Sequence, residues 1–216
     1  MSIRKTIFAV SAVAYLVSGC MHLKGESTEM ASRPTAPPPA APSQSLPVPS
    51  YAAGDQWVYS DGYGLRVNSI RPDGLARFDR LDAPNEWFVS KAIFREEAQS
   101  SRVHRAVVFR TGDPMQIFTA PVGQTVSFVR EYMRNGELIR HRTSWVIEGR
   151  ERITVPAGSF DTWVLVMRSD SLTSNWRGYE RWYYSPQVKN YVRLEYKYGD
   201  APDGSRVLMT YQIRAE

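Results

Sequence analysis

Turn signals interrupt the chain at short intervals from Tyr51 onward, and this feature constrains the fold most. Glycine, proline and aspartate cluster at Pro72-Asp73-Gly74, Gly112-Asp113-Pro114 and Pro202-Asp203-Gly204. Between two apolar segments, Asn135-Gly136 supplies the two residues with positive φ that a type I′ hairpin needs. Short strands separated by such turns predict an all-β domain.

The patterning of apolar residues supports strands. Residues 192–198 place an apolar or aromatic side chain at every second position, which predicts a strand with one solvated face. Trp163–Met167 is apolar throughout and predicts a central strand covered on both faces. Glu86–Gln99 is rich in helix formers and predicts one short helix. The predicted fold is an antiparallel curved sheet, half-barrel or sandwich-like, in a single domain at 51–216.

The first twenty residues indicate export. Arg4 and Lys5 precede an apolar run from Ile7 to Val17, which is shorter than the ~20 residues that a bilayer requires. Cys20, the one cysteine of the chain, follows a small residue and a glycine. The string Leu-Val-Ser-Gly-Cys resembles the lipobox of bacterial lipoproteins. The resemblance implies a signal peptide at 1–19 and a lipidated Cys20; the alternative is an ordinary secretory signal with an unmodified thiol.

The lipobox resemblance also implies a location. A lipoprotein carries palmitate or related acyl chains on its N-terminal cysteine, so the expected partner is a membrane of the bacterial cell envelope. Met21 stands where aspartate would retain a lipoprotein at the inner membrane. We therefore expect the outer membrane, with the domain facing the periplasm.

Residues 20–50 are predicted to be a tether between the lipidated cysteine and the folded domain. Seven of the 14 prolines lie in this segment, with alanine and serine between them. Such a composition cannot bury enough apolar surface to fold, so we expect a disordered, Pro/Ala-rich linker.

The charge of the chain narrows the range of partners. The formal net charge is +5 at pH 7, which suits an anionic membrane surface or anionic glycans. Nucleic acid is not an expected partner, because the protein leaves the cytoplasm and has no basic run. The favoured interpretation is that the arginines simply solvate the outer face of a sheet.

Residues that usually carry chemistry form no recognisable constellation. His104 and His141, the histidines of the predicted domain, have no cysteine or glutamate at metal-ligand spacing. The chain has no G-x-S-x-G nucleophile string. We therefore expect no catalytic residues, no metal and no cofactor. A hydrolase of envelope polymers, with a site assembled from distant residues, is the remaining enzymatic alternative.

Three strings carry a second resemblance, namely Gly54–Tyr59, Val155–Asp161 and Trp182–Val192. Their Gly-Asp-x-Trp-x-Tyr, Val-Pro-Ala-Gly-x-Phe-Asp and Ser-Pro-x-Val patterns resemble an uncharacterised domain family of bacterial envelope proteins. The resemblance implies an antiparallel β fold related to the half-barrels of lipoprotein carriers, and no catalytic residues. We interpret six positions as structural: Gly54, Trp57, Pro156, Gly158, Phe160 and Pro186.

Aromatic residues are concentrated between Trp176 and Tyr198. Tyrosine and tryptophan suit sugar, lipid or protein surfaces, although strands also use them as core. The candidate ligand or partner surface is Trp182, Tyr184, Tyr196 and Tyr198. The leading hypothesis is a non-catalytic binding or assembly module for an envelope protein, lipid or glycan. The alternative is a carrier or sensor of lipid or lipoprotein with an apolar hollow.

Overall fold

Twelve antiparallel strands form a closed barrel in the computed structural model, which describes residues 45–214. Each strand pairs with the next along the chain, and β1 pairs with β12 to close the sheet. The strands are β1 Gln56–Tyr59, β2 Gly64–Ile70, β3 Ala76–Arg80, β4 Trp87–Lys91, β5 Phe94–Gln99, β6 His104–Arg110, β7 Thr125–Arg134, β8 Glu137–Val155, β9 Gly158–Ser171, β10 Arg177–Ser185, β11 Asn190–Tyr198 and β12 Gly204–Gln212. Short 3₁₀ turns occupy Pro114–Phe118 and Pro186–Val188.

The all-β, antiparallel prediction is confirmed, but the sheet is a closed barrel and not an open half-barrel or a sandwich. Closure depends on the pairing of Trp57 with Tyr211. β1 and β12 lie at opposite ends of the described chain, and no local sequence pattern predicts that they pair. Closure removes both sheet edges, which would otherwise present unpaired backbone groups.

The predicted hairpin at Asn135-Gly136 is confirmed, since both residues have positive φ, 51° and 86°. Asn135 also accepts a hydrogen bond from the backbone N–H of His104 at 2.9 Å. The turn therefore fixes the register of β7 against β8 and holds the start of β6. The central-strand prediction is confirmed too, because every residue of Trp163–Met167 is buried.

The predicted helix over Glu86–Gln99 is wrong. This segment forms β4 and β5, joined by a tight turn in which Ala92 has a φ of 48°. Phe88 and Phe94 are buried, and both strands are paired on either side. Pairing and burial on a sheet outweigh the few tenths of a kcal/mol per residue by which helix propensities differ.

Two of the sequence motifs meet at the seam where the barrel closes. The Trp57 indole N–H donates to the carbonyl of Val188 at 2.7 Å, and the Tyr59 hydroxyl donates to the carbonyl of Tyr191 at 3.2 Å. Both rings are almost fully buried. Pro186 begins the 3₁₀ turn that contains Val188. The strings therefore join the first strand to the β10–β11 connection.

The third motif makes the tight turn between the two longest strands. Pro156 and Ala157 follow the last residue of β8, and Gly158 starts β9 with a φ of 136°. Phe160 is buried against the ring of Tyr211 at 5.9 Å. This turn is therefore packed on the C-terminal strand. Gly54, at the head of the first motif, has a φ of 94°.

Buried apolar side chains form two groups. One surrounds the closure seam and includes Trp57, Tyr59, Phe78, Phe160 and Leu208. The other lies around the Pro114–Phe118 turn and the middle of β7 to β9, and includes Leu46, Phe94, Ile117, Phe118, Phe128, Trp145, Leu165, Met167 and Tyr184. The second group forms one end of the hollow described below.

The predicted signal peptide at 1–19, Cys20 and the tether as far as residue 44 lie outside the described residues. The remaining tether residues, 45–50, contribute a buried Leu46 to the second core group. Within residues 45–214, no helix is long and apolar enough to span a bilayer.

Candidate functional site

The barrel encloses a cavity of about 960 Å³. Cavities that hold small ligands in proteins have volumes of about 300–1,000 Å³. Eleven of the twelve strands, all but β1, contribute side chains to the wall, and several of these side chains are aromatic. The hollow therefore has the size of a ligand site and lies inside the sheet.

Every second side chain of a strand points into the cavity. The polarity of these inward side chains changes from one end of the strand to the other. On β7 the inward series runs Arg134, Tyr132, Arg130, Phe128, and on β8 it runs Glu137, Ile139, His141, Thr143, Trp145. Exposed polar side chains mark one end, which we call the rim: Arg134, Glu137, Thr173 and Ser174. Buried apolar side chains mark the other, which we call the floor: Ala92, Ile93, Phe94, Phe128, Trp145 and Met167. The cavity is therefore amphipathic along its length.

Three arginines, Arg95, Arg105 and Arg130, line the cavity together, and we call them the arginine cluster. The guanidinium carbons of Arg105 and Arg130 lie 5.6 Å and 5.4 Å from the centre of the Tyr132 ring. Arg95 lies over the Phe88 ring at 4.1 Å. Among the described residues, no ion pair involves any of the three. Their contacts are to aromatic rings and not to carboxylates.

Burial and mutual repulsion act on the pKa values of the cluster. Burial, together with the charges of Arg95 and Arg130, lowers the pKa of Arg105 to about 10, and Tyr132 and Glu180 oppose this effect. Burial also lowers the pKa of Arg130. Both side chains still carry a full charge at neutral pH. The Nε atom of Arg130 is buried and has no acceptor among the described residues.

Two other arginines of the wall have carboxylate partners. Arg110 forms an ion pair with Glu96 at 2.8 Å, and Arg206 pairs with Asp61 at 3.0 Å. The Glu180 carboxylate accepts hydrogen bonds from the Trp182 indole N–H and from the Tyr198 hydroxyl. The charge of Glu180 acts on Arg105 and Arg130 and raises the pKa of each, but the three charges of the arginine cluster exceed it, so an excess of positive charge remains.

His141 lies next to the arginine cluster. Its ring stacks on Trp176 with 4.5 Å between ring centres and contacts the Ser169 hydroxyl through Nδ1 at 3.4 Å. Burial, together with the charges of Arg130 and Arg105, lowers the pKa of His141 to about 4. The ring is therefore neutral at pH 7. A serine beside a histidine of such low basicity is a poor nucleophile–base pair.

Three of the four aromatic residues predicted as a binding surface lie in the cavity wall: Trp182, Tyr196 and Tyr198. The Tyr196 and Tyr198 rings stack at 5.4 Å. Tyr184 packs in the second core group instead, where its hydroxyl donates to the carbonyl of Pro47 at 3.3 Å. The structure thus groups three of these rings around one hollow.

Sequence reasoning missed the arginines. It assigned the positive charges to the outer face of the sheet, whereas six arginines line the cavity: Arg95, Arg105, Arg110, Arg130, Arg134 and Arg206. The available signal was the series Arg130, Tyr132, Arg134, which places three large side chains on one face of a strand. Nothing in the series tells which face points inward.

The described residues contain no group of three or more histidine, cysteine, aspartate or glutamate side chains arranged to hold a metal ion. Cys20, the predicted lipidation site, lies outside the part of the chain that the structure describes.

Comparison with solved structures shows what this fold resembles. The chain is similar to the hypothetical lipoprotein YmcC from Escherichia coli, with a TM-score of 0.51 and 10% sequence identity over 78% of this chain and 88% of that one. A protein from Parabacteroides distasonis described as a lipoprotein aligns with a TM-score of 0.39 and 16% identity, covering 77% and 97% of the two chains. A Bacteroides fragilis protein described as exported, with a YmcC-like fold, aligns at 0.43 and 15%, covering 79% and 99%.

The likeness to YmcC concerns the fold alone, since the identity is low. No protein-family model matches the sequence, and no curated protein matches it. The class that fold and site define is therefore a closed antiparallel barrel with an amphipathic, arginine-bearing hollow.

Proposed function

We propose that this protein is a lipoprotein of the bacterial envelope, anchored through acyl groups on Cys20, whose barrel binds a small ligand in its hollow without catalysis. The observation that carries the proposal is the cavity of about 960 Å³ with its polar rim and apolar floor. The lipobox resemblance supports the anchor. The fold shared with YmcC, itself described as a lipoprotein, is consistent with it.

The cavity favours a ligand over a protein partner. Trp182, Tyr196 and Tyr198 line the hollow, and a folded protein cannot reach side chains inside a barrel of this size. The interior retains space that large side chains would fill in a packed barrel. Of the hypotheses drawn from the sequence, the carrier or sensor with a hollow is therefore the one that we propose, with walls that are only partly apolar.

Filling the hollow should weaken ligand binding. Ser90 is a small buried residue of the wall, close along the chain to Ala92 of the floor. In the full chain carrying Cys20→Ser, the neutral fluorescent probe N-phenyl-1-naphthylamine should bind with a stoichiometry near one. A Ser90→Trp change should lower its affinity at least tenfold, because the indole occupies the space of the probe.

Ser205→Trp is the matched control, since Ser205 is exposed on β12 and the same substitution there leaves the cavity open. Thermal unfolding monitored by circular dichroism verifies that both variants fold. Absence of saturable probe binding by the parent protein, or equal binding by the Ser90 and Ser205 variants, would contradict a ligand site in the hollow.

Lipidation is tested separately. Cells expressing the full chain should incorporate radioactive palmitate into it, and Cys20→Ser should remove the label, because Cys20 is the sole thiol of the chain. Membrane fractionation then tests the expected outer-membrane location. Equal labelling of both versions would show that the acyl group is not attached to this cysteine.

A further inference from the structure

We infer that the ligand of the hollow is an anionic amphiphile, whose acidic head group contacts Arg105 and Arg130 and whose apolar part lies against the floor. This inference rests on the ligand-binding function proposed above and adds the chemical class of the ligand. It is carried by two features of the wall, the arginine cluster and the floor, at successive depths of one cavity.

The arginine cluster has the features of an anion-binding site. Arg105 and Arg130 face the same ring, Tyr132, and no ion pair within residues 45–214 involves either of them. Like charges brought together in a partly buried wall repel each other. A phosphate or carboxylate between them removes the repulsion and accepts the planar, often bidentate hydrogen bonds that guanidinium groups favour. The buried Nε of Arg130 is one donor that such a head group satisfies directly or through water.

Within residues 45–214, Glu180 forms no ion pair with Arg105 or Arg130, although its charge raises the pKa of both. Its carboxylate accepts from Trp182 and Tyr198, so its hydrogen-bonding capacity is directed toward the aromatic wall. Arg110 and Arg206 have carboxylate partners of their own. The three charges of the arginine cluster exceed the one charge of Glu180, so a net positive charge is available to a ligand, while Arg134 and Glu137 lie together at the rim.

The floor selects for an apolar part of the ligand. Phe94, Phe128 and Trp145 are each buried, yet they also bound the cavity. An acyl chain or another apolar group laid against them removes apolar surface from water, which stabilises the complex by about 25 cal/mol per Å². A fully hydroxylated anionic glycan satisfies the arginines but buries less apolar surface against these rings than an acyl chain does. The two ends of the wall together therefore favour an amphiphile.

Three amphiphiles with the same twelve-carbon chain and different head groups test the inference: dodecyl phosphate, dodecyl maltoside and dodecyltrimethylammonium. Each is titrated below its critical micelle concentration into the full chain carrying Cys20→Ser, so that no acyl group of the protein itself competes. Isothermal titration calorimetry gives the affinities. Dodecyl phosphate should bind at least tenfold more tightly than the other two, and inorganic phosphate alone should bind far more weakly.

Substitution of the cluster should remove this selectivity. Arg130→Gln and Arg105→Gln should each weaken dodecyl phosphate by about tenfold while changing the maltoside little. Arg130→Lys should retain part of the selectivity, because it keeps the charge without the guanidinium fork. Arg142→Gln is the matched control, since Arg142 is exposed on the outer face of β8, between the inward residues His141 and Thr143. It should bind dodecyl phosphate like the parent.

The possible outcomes separate this inference from the function on which it rests. Equal affinities for all three head groups, or selectivity that survives both glutamine variants, would overturn the anionic class while leaving the hollow a ligand site. Tighter binding of an acidic oligosaccharide, such as tetragalacturonate, than of dodecyl phosphate would overturn the amphiphile. If none of the amphiphiles and no neutral probe binds, the ligand-binding function itself is wrong.

Discussion

At the scale of single residues, the pKa of His141 reflects the burial and the positive charge of its surroundings in the hollow. Burial, Arg130 and Arg105 lower its pKa from the ordinary 6.5 to about 4, while Asp170 opposes them weakly. The neutral ring donates or accepts one hydrogen bond per nitrogen, and Ser169 and Tyr132 lie at 3.4 Å and 3.5 Å from these atoms. A bound anion beside the arginines would raise this pKa by offsetting their charge.

The stability of the barrel should depend on the protonation of His141. The unfolded chain binds a proton on His141 near pH 6.5, and the folded chain binds it only near pH 4. The contribution of His141 to stability is therefore complete above pH 6.5 and is lost as the pH falls toward 4. Between pH 7 and 4.5, urea unfolding should show a smaller loss of stability for His141→Gln than for the parent, by up to about 3 kcal/mol.

The same titration can be followed directly by NMR. The ring resonances of His141 should stay constant from pH 8 to 5.5 and move only near pH 4. A midpoint between pH 6 and 7 would contradict the repulsion that Arg130 and Arg105 exert on the ring.

The candidate site was partly predictable from its residues. The aromatic concentration near the C-terminus correctly drew attention to Trp182, Tyr196 and Tyr198, because these side chains recur at alternate positions of two strands. The arginines were assigned to the wrong face. Arginine is rarely buried without a partner, so general statistics place it outside, and only the register of β7 against β8 reveals that Arg130 opposes the inward-facing His141.

At the scale of elements, local turn chemistry was a reliable guide and helix propensity was not. Asn135-Gly136 determines its hairpin by backbone conformation alone, since both residues must adopt positive φ. Glu86–Gln99 contains good helix formers, but Phe88 and Phe94 are buried in paired strands. Where burial and propensity disagree in a sheet, the larger free energy of burial decides.

The elements also explain why the hollow is amphipathic. Strands β8 and β9 place residues of similar depth opposite one another across the sheet, as Thr143 is with Ser169 and Trp145 with Met167. The hydroxyls of Thr143 and Ser169 lie 3.0 Å apart. The alignment of neighbouring strands therefore produces polar and apolar layers in the cavity wall. A shift of one strand by two residues against its neighbour would place polar side chains beside apolar ones.

At the scale of the whole molecule, the barrel depends on a seam between its first and last strands. Asp55, which is fully buried, lies there immediately before β1. Its carboxylate accepts from the backbone N–H of Arg214 at 2.7 Å and of Ala52 at 2.9 Å, and lies 3.4 Å from the Lys189 ammonium. The Gly54–Tyr59 string therefore matters for closure, which pairs strands that are remote in sequence.

Removal of the Asp55 carboxylate should loosen the seam before the rest of the barrel. Asp55→Ala leaves two backbone donors without their acceptor, so the free energy of unfolding should fall by about 2–4 kcal/mol. Amide hydrogen exchange should accelerate most in β1 and β12, because these strands meet at the seam, and least in the long β8–β9 hairpin. Asp203→Ala is the control: Asp203 is 80% exposed and pairs only with Lys197 among the described residues, so its loss should change stability by less than about 1 kcal/mol. Equal unfolding midpoints for Asp55→Ala and the parent, or exchange that rises uniformly over the barrel, would show that closure does not depend on this carboxylate.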